Sequence, residues 1–586
     1  MSKKPENSVS GKAFDFGQFM RIMRYVKPYR PMFIYTSILV LLSAGLAPLR
    51  PWLIQYTLDE TIILPQPNLL KLMTIVIIGI LILEAVIQFA QTFMANWLGQ
   101  SVIKDLRVDV YRKISGFRLK YFDNTPIGTL VTRAVSDIET IADIFTEGVL
   151  IILGEIIKLI VVLAVMFFLD WRLTLICIVP IPILLWATNV FKNYIKVAFQ
   201  DVRTEVSKLN AFVQEHLTGM FIVQIFNREK QELDKFKKIN ARHRDAHLRT
   251  VWANSIFFPV VEILSALSIA LLIWWGSKQV LSGVVQYGDL VAFILYIYMI
   301  FRPIRQLADR FNTLQMGMVA SERVFKILDT EAQIASSGKD LKPEINGTIS
   351  FKNVWFAYNN EDWVLKDVSF DVKSGQRIAI VGATGAGKTS IINLLSRFYE
   401  YNKGSIEIDG IDLRDFDPNY LKQQVGIVLQ DVFLFSDTIL NNITLNNPEI
   451  SLTQAIEAAK KVGAHRFIDR LPGGYDFNVK ERGGMLSVGQ RQLLSFIRAY
   501  IYNPSILVLD EATSSVDTET ELMIQEAIDQ ITKDRTSIII AHRLATIQHA
   551  DVILVMDKGK IVEQGNHQAL LKADGVYRKL YELQFA

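Results

Sequence analysis

Apolar positions are not spread evenly along the chain. They concentrate in its first 315 residues, in six stretches that approach or exceed the roughly 20 residues needed to cross a bilayer. The stretches run over about 32–57, 70–98, 145–169, 172–192, 252–276 and 288–312. Links between them alternate in character. The short ones, 58–69, 170–171 and 277–287, carry one basic residue, Lys278. The long ones, 99–144 and 193–251, carry Lys104, Arg107, Arg112 and Lys113, then Lys235, Lys237, Lys238, Arg242 and Arg244. The positive-inside rule puts the long links and both chain ends in the cytoplasm. The long links are helix-forming, so the membrane helices are expected to continue into the cytoplasm. About 20 further residues at 1.5 Å each would reach roughly 30 Å below the membrane. "FDNTPIGTL" (122–130) and "QEHLTGMF" (214–221) supply Pro and Gly for the turns at the tips.

From about residue 345 the periodicity changes. Short apolar runs such as "QRIAIVG", "QVGIVLQ", "ILVLDE" and "TSIIIAH" alternate with helical ones. Continuous apolar strands between helices predict a sheet covered on both faces. The expected organisation is a cytoplasmic segment and interfacial helix over 1–30, a helical membrane domain over 31–325, a linker over 326–345 and an α/β domain over 346–586.

Composition narrows the partners. Lysine and arginine total 63 against 59 aspartate and glutamate, a net charge of +4, which gives no case for nucleic acid. The single cysteine, Cys177, excludes an internal disulfide and a multi-cysteine metal site, and its apolar neighbours predict a small buried hydrophobe. The first nineteen residues lack the apolar core of a cleavable leader. Counted from the outer helix ends, Glu84, Glu155, Lys158, Glu262, Arg302 and Arg305 fall roughly 18–26 Å deep. Two readings apply: mutual pairing, as between Glu155 and Lys158, or a polar ring that holds the headgroup of an amphipathic molecule.

The phosphate chemistry is written in motifs. "GATGAGKTS", Gly382, Ala383, Thr384, Gly385, Ala386, Gly387, Lys388, Thr389 and Ser390, fits G-x-x-x-x-G-K-[ST] between an apolar strand and a helix. Its backbone N–H groups would cradle phosphates, Lys388 would reach the β- and γ-phosphates, and Thr389 is placed to ligate Mg²⁺. "ILVLDEATSSVD" (506–517) is an apolar strand ending in two acids: Asp510 suits Mg²⁺, and Glu511 could polarise a water. Gln430 and His542 end two further strands, where parallel sheets bind ligands. Tyr358 could stack on an adenine. A second phosphate trap is "ERGGMLSVGQRQLLSF" (481–496), with Ser487, Val488, Gly489 and Gln490 opening a helix.

Together these motifs resemble the ABC transporter superfamily, in its exporter form with membrane and ATPase parts fused, a lipid flippase or multidrug exporter-like half-transporter. P-loop, glutamine loop, signature, Walker B, D-loop "SSVD" (514–517) and switch histidine occur in the family's order. The resemblance implies an all-α membrane domain with long cytoplasmic extensions followed by an α/β P-loop ATPase, consuming ATP with Mg²⁺ held by Thr389, Gln430 and Asp510. It implies adenine stacking by Tyr358, joint hydrolytic roles for Glu511 and His542, and sensing by Gln430. It implies a second half-transporter, whose signature residues Ser487, Val488, Gly489 and Gln490, with Asp517, complete the ATP site in trans. Residues 121–141 and 215–231 resemble the coupling helices of such exporters. The expected action is export or flipping of a hydrophobic or amphipathic substrate across the cytoplasmic membrane by alternating access. An ATP-gated channel or regulator on the same scaffold is the alternative. The signature reads LSVGQ where the family favours LSGGQ. Val488 is tolerated variation in a homodimer, or marks a heterodimer in which this signature serves a weakened site.

Overall fold

The computed structural model describes residues 16–62, 66–144, 149–332, 339, 341–359, 361–510, 518–541 and 544–585, with the backbone alone at 62, 149–150, 305–312, 518–519, 544–545 and 584–585. The chain divides into two compact units. The first holds residues up to Ser115 and Ile127–Thr330, and the second holds Gly116–Pro126 with everything from Glu331 onward.

The first unit is helical. Among the described residues, six helices are long and apolar enough to cross a membrane. The long links are indeed helical extensions: Pro67–Ser115, Ile181–Thr218, Glu229–Leu281 and Tyr287–Asp329 each continue well past the apolar stretch they contain. The last of these runs four residues into the expected linker. Tips form where proposed. Gly219 ends one long helix and the short helix Met220–Ile225 crosses to the next. At that tip His216 Nε2 lies 2.8 Å from a Glu232 carboxylate oxygen.

Two spans are broken where proline stands. The first divides into Arg30–Leu46 and Leu49–Thr57 at Pro48, and the fourth into Trp171–Ile178 and Ile181–Thr218 at Pro180. Proline removes a helical N–H, and inside a bilayer the carbonyls that such breaks release need other partners. Beside the first break the Pro48 carbonyl opens the next helix, accepting from the Trp52 N–H at 3.3 Å and also from the Tyr296 hydroxyl at 2.9 Å, and beside the second Ser268 Oγ donates to the Cys177 carbonyl at 3.1 Å. Cys177 is buried, as expected of a small core residue. It shares a core with Val162, Leu173, Phe257 and Phe293. The two-residue link at 170–171 works because Asp170 caps the next helix, accepting from the Arg172 and Leu173 N–H groups at 2.7 and 3.0 Å.

Of the intramembrane charges, Glu84 pairs with a residue outside the expected set. Arg50 lies 3.6 Å from Glu84. Glu155 and Lys158 form no ion pair among the described residues. The Arg305 side chain lies outside them.

The second unit holds two sheets. Strands β1 (Ile349–Ala357), β2 (Trp363–Val372), β4 (Lys403–Ile408) and β5 (Ile411–Asp412) form an antiparallel sheet in the order β2-β1-β4-β5. Strands β3 (Arg377–Gly382), β6 (Val425–Val428), β7 (Ile506–Asp510), β8 (Thr536–Ile540), β9 (Val552–Asp557) and β10 (Lys560–Gly565) form a second, in the order β10-β9-β3-β8-β7-β6. All its pairings are parallel except β9 with β10. Alternate residues of each central strand enter different cores. Ala379, Val381, Leu507, Leu509 and Ile539 face one. Ile378, Ile380, Ile506, Val508 and Ile538 face the other. That is the two-faced burial the apolar runs predict.

Candidate nucleotide-binding site

Register brings the motifs to one edge. In the parallel sheet Ile380 of β3 pairs with Ile540 of β8, and Ile540 pairs with Asp510 of β7. The carboxyl ends of these strands therefore lie side by side, at the edge where such sheets bind ligands. The P-loop leaves β3 there and enters the helix Lys388–Leu395. The Ala541 N–H donates to the Ile380 carbonyl at 3.2 Å, tying the end of β8 to the strand that feeds the P-loop. Glu511, Asp517 and His542 lie outside the described residues.

Two glycines of the loop leave no room for a side chain. A Cβ on Gly382 would stand 2.3 Å from the backbone oxygen of Met556 on the neighbouring strand. Gly387 has φ +102°, a left-handed conformation, and a Cβ there would stand 2.8 Å from Leu365. A turn between β9 and β10 braces the loop from behind, where the Gly559 N–H donates to the Ala386 carbonyl at 3.1 Å. Ala383, Thr384, Gly385 and Thr389 are exposed, whereas Ala386, Gly387, Lys388 and Ser390 are buried.

Lys388 folds back onto its own loop, donating from Nζ to the Gly382 and Ala383 carbonyls at 2.8 and 3.1 Å. Burial pulls its pKa below the ordinary lysine value, and the negative charge of Asp510 opposes that. Asp510 is the reciprocal case: burial raises its carboxyl, Lys388 pulls it down, and the neighbouring Asp431 pushes it up again. A buried cation and a partly buried carboxylate thus face one charge environment, each desolvated at a cost the other only partly offsets. Gln430, two residues past β6, is exposed beside Asp431.

Tyr358 lies just past β1. Its hydroxyl is 3.1 Å from Ser390 Oγ and accepts from Asn393 Nδ2 at 2.9 Å, and its ring meets Phe356 and Tyr399 edge-on at 4.7 and 4.9 Å. Ser390 therefore spends its buried hydroxyl on orienting this tyrosine. The signature residues stand on the helix Val488–Ile501, for which Ser487 is the N-cap. Ser487 Oγ accepts from the Gln490 N–H at 3.2 Å, and the Ser487 N–H donates to Gln490 Oε1 at 3.0 Å. Gln490 is thus committed to a capping box, a role announced by the S-x-x-Q spacing but absent from the motif reading. Val488 occupies the first helical position and is exposed. The partners of Tyr358, and the influence of Asp431 on Asp510, come from distant parts of the chain, and no local pattern signals them.

Residues 33–304 match the ABC transporter transmembrane region, and residues 365–514 match the ABC transporter family. The chain belongs to the ABC transporter family. It is 38% identical over 98% of its length to the ABC transporter ATP-binding protein YknV of Bacillus subtilis (strain 168), covering 96% of that protein. It is 34% identical over 99% of its length to the ATP-dependent lipid A-core flippase of Syntrophus aciditrophicus (strain SB), again covering 96% of it. A putative multidrug export ATP-binding/permease protein of Bacillus subtilis (strain 168), YgaD, is 34% identical over 97% of the chain and 99% of the relative. Among solved structures, a bacterial Atm1-family ABC exporter with ATP bound superposes with a TM-score of 0.79 at 28% identity, covering 95% of this chain and 98% of that one. This ABC exporter is accordingly an ATP-hydrolysing membrane transporter, a half-transporter whose fold implies dimerisation.

Proposed function

We propose that the chain exports an amphipathic substrate from the cytoplasmic side of the inner membrane by alternating access, as a dimer of identical chains. The observation that carries this reading is the presence in one chain of two incomplete phosphate sites. One is the P-loop edge with Lys388 and Asp510. The other is the exposed, capped helix start at Ser487. A head-to-tail pair would complete both sites at once, each Ser487 helix presenting its positive end to the partner's P-loop.

The donor set fits a nucleotide with a divalent cation. The Asp510 carboxylate is desolvated more than Lys388 compensates, so added positive charge there is favourable. Thr389, Gln430 and Asp510 would hold Mg²⁺, which when bound supplies charge neutralisation at the β- and γ-phosphate oxygens. Lys388, now resting on two loop carbonyls, would turn its ammonium to the phosphates. Tyr358, oriented by Ser390 and Asn393, would offer its ring to adenine. Glu511 would orient the attacking water with His542. In trans, Ser487 and Gly489 would donate to the terminal phosphate, with Val488, Gln490 and Asp517 lining the same contact. Ligand that binds the closed pair better than the open one supplies the work. Residues 116–126, which follow directly from the long helix Pro67–Ser115 yet pack within the ATPase unit, support transmission of that closure.

A Cys177→Ala background leaves no thiol in the chain. In it, Ser487→Cys and Ala383→Cys introduced together should crosslink between chains when ATP and Mg²⁺ are present in a hydrolysis-impaired Glu511→Gln protein. Equal crosslinking with and without ATP, or none under either condition, refutes the shared site.

A further inference from the structure

The end of the first span and the start of the sixth meet in a group of acids that the nucleotide chemistry does not use. Asp59 stands on the helical turn Leu58–Ile62 that closes the first span, and Gln55 lies one turn earlier on Leu49–Thr57. Gly288 and Asp289 open the helix Tyr287–Asp329. Asp59 Oδ1 accepts from the Gly288 N–H at 2.8 Å. Gln55 Nε2 donates to Asp289 Oδ1 at 2.6 Å, and the Gln286 N–H donates to Asp289 Oδ2 at 2.9 Å. Both oxygens of Asp289 thus have donors. Asp59 is only 8% exposed, yet its Oδ2 has no hydrogen-bond partner among the described residues, and neither has the buried Gln55 Oε1. A Cβ on Gly288 would stand 2.3 Å from Asp59 Oδ2 and 2.6 Å from the Gln55 carbonyl oxygen, so those two acceptors border one spot.

No neighbouring cation compensates that oxygen. Glu60, on the same turn, repels Asp59, and Asp59 and Asp170 both repel Asp289. The helix Pro67–Ser115 also packs against the turn. Nearest in its sequence are Lys71, which is exposed, and Glu84, which Arg50 holds at 3.6 Å. Among the described residues no Lys or Arg acts on Asp59 or Asp289. The residues beside the turn that lie outside the description, 63–65, are Ile63, Leu64 and Pro65, whose side chains carry no charge. A buried carboxylate with one unpartnered oxygen among like charges is costly. A proton removes the charge and turns the orphan acceptor into a donor, and of two carboxyls that crowd one site, one holds its proton. The orphan atom is closed to solvent, which suits a proton and leaves no place for a hydrated metal ion.

We propose that Asp59 is a proton-binding site whose neutral form latches the first span to the sixth. The O–H at Oδ2 donates to the Gln55 carbonyl while Oδ1 keeps the Gly288 N–H. When the two spans part, the carboxyl meets water, its O–H bond breaks and the proton leaves to the solvent on that side. The carboxylate left behind repels Asp289 and holds the spans apart. Closure takes up the proton again, so acid on that side favours the closed latch. In the orientation of the exporter reading above, that side is the exterior, and external pH sets how readily the membrane domain opens outward. Only this assignment of the side rests on that reading.

Infrared difference spectra of the full chain in nanodiscs, without nucleotide and near neutral pH, separate the C=O stretch of a neutral carboxyl from a carboxylate. The wild type should show a neutral-carboxyl band that Asp59→Asn loses and Glu60→Gln keeps. Asparagine places an amide donor where the proton would sit, and unaltered ATP affinity reports an intact fold. Turnover is then measured in sealed proteoliposomes, where only chains whose ATPase domain faces the bath reach added ATP. At fixed bath pH, wild-type turnover should fall about twofold or more as the luminal pH is lowered from about 8 to about 6. Asp59→Asn should stay slow and indifferent to luminal pH, and Glu60→Gln should respond as the wild type does. The proposal is overturned if the wild type lacks the band, if Asp59→Asn retains it, or if Asp59→Asn and the wild type respond alike to pH on both sides. An Asp59-dependent band with an Asp59-dependent response to bath pH alone keeps the latch and overturns the orientation.

Discussion

At the scale of single residues, the loop glycines separate two costs that a motif merges. Gly382 sits against the backbone of Met556, which cannot step aside, whereas a Cβ on Gly385, at φ +82°, would meet nothing within 4 Å. Gly382→Ala should therefore add overpacking, about 1–3 kcal/mol, to the strain of its φ of +154°, and prise β3 from β9. Gly385→Ala should cost only backbone strain, about 1 kcal/mol. Thermal melting of the two purified variants checks the ranking, and equal losses refute it. A second residue-scale case is Asp412. Burial alone would raise its carboxyl, but Arg414, the Tyr401 hydroxyl and the Arg414 N–H outweigh that and hold it down to about 2. A depressed carboxyl contributes stability that is present above the unfolded value near 4 and is lost as the pH falls through the folded value. Asp412→Asn should lower the melting temperature at pH 7, and its deficit against the wild type should shrink as the pH is taken from about 5 toward 3. A deficit that does not change over that range removes the assignment. Residue chemistry was the most legible level in the chain. The P-loop is contiguous, so its glycines, lysine and threonine announce themselves. Tyr358 with Ser390 and Asn393 does not, because those partners meet only after β1 and the P-loop helix have packed.

At the scale of elements, the signature helix joins a structural and a chemical role in one serine. Ser487 closes a capping box with Gln490 and is also the residue assigned to the partner's phosphate. Two substitutions separate the roles. Ser487→Ala removes the cap and should cost about 1 kcal/mol of stability along with most of the ATPase rate. Ser487→Asp keeps a capping oxygen and complements the helix dipole, so its stability should match the wild type, yet a carboxylate facing phosphate should abolish turnover. An active Ser487→Asp would confine this residue to capping. The same scale shows where element reading from sequence stopped. Long helices and buried parallel strands were visible because each repeats one signal over many residues. The antiparallel sheet was not foreseen, because β4 joins β1 only across the intervening β3 and P-loop helix and β5 is two residues long. The breaks at Pro48 and Pro180 lie within apolar stretches long enough to read as single spans, and the hydroxyls that reach carbonyls beside them, those of Tyr296 and Ser268, come from other helices.

At the scale of the whole molecule, the decisive property is which chain owns each site. If each ATP is held between the Lys388 loop of one chain and the Ser487 helix of another, two dead proteins can repair one another. A Lys388→Ala chain retains a sound signature, and a Ser487→Asp chain retains a sound P-loop. In a mixed dimer both defects fall on one interface and the other interface is whole. Random reassembly makes half the dimers mixed, each with one of two sites intact, so about a quarter of the wild-type sites should return. The measurement is ATPase activity after each variant is purified alone, mixed in detergent and reconstituted together. Sites formed within one chain predict no recovery at any mixing ratio. Recovery requires two copies of this chain to pair through the interface, so it also bears on Val488. Half-sites bearing the LSVGQ sequence would then be competent in a homodimer, and no second polypeptide with a stronger signature would be needed for turnover.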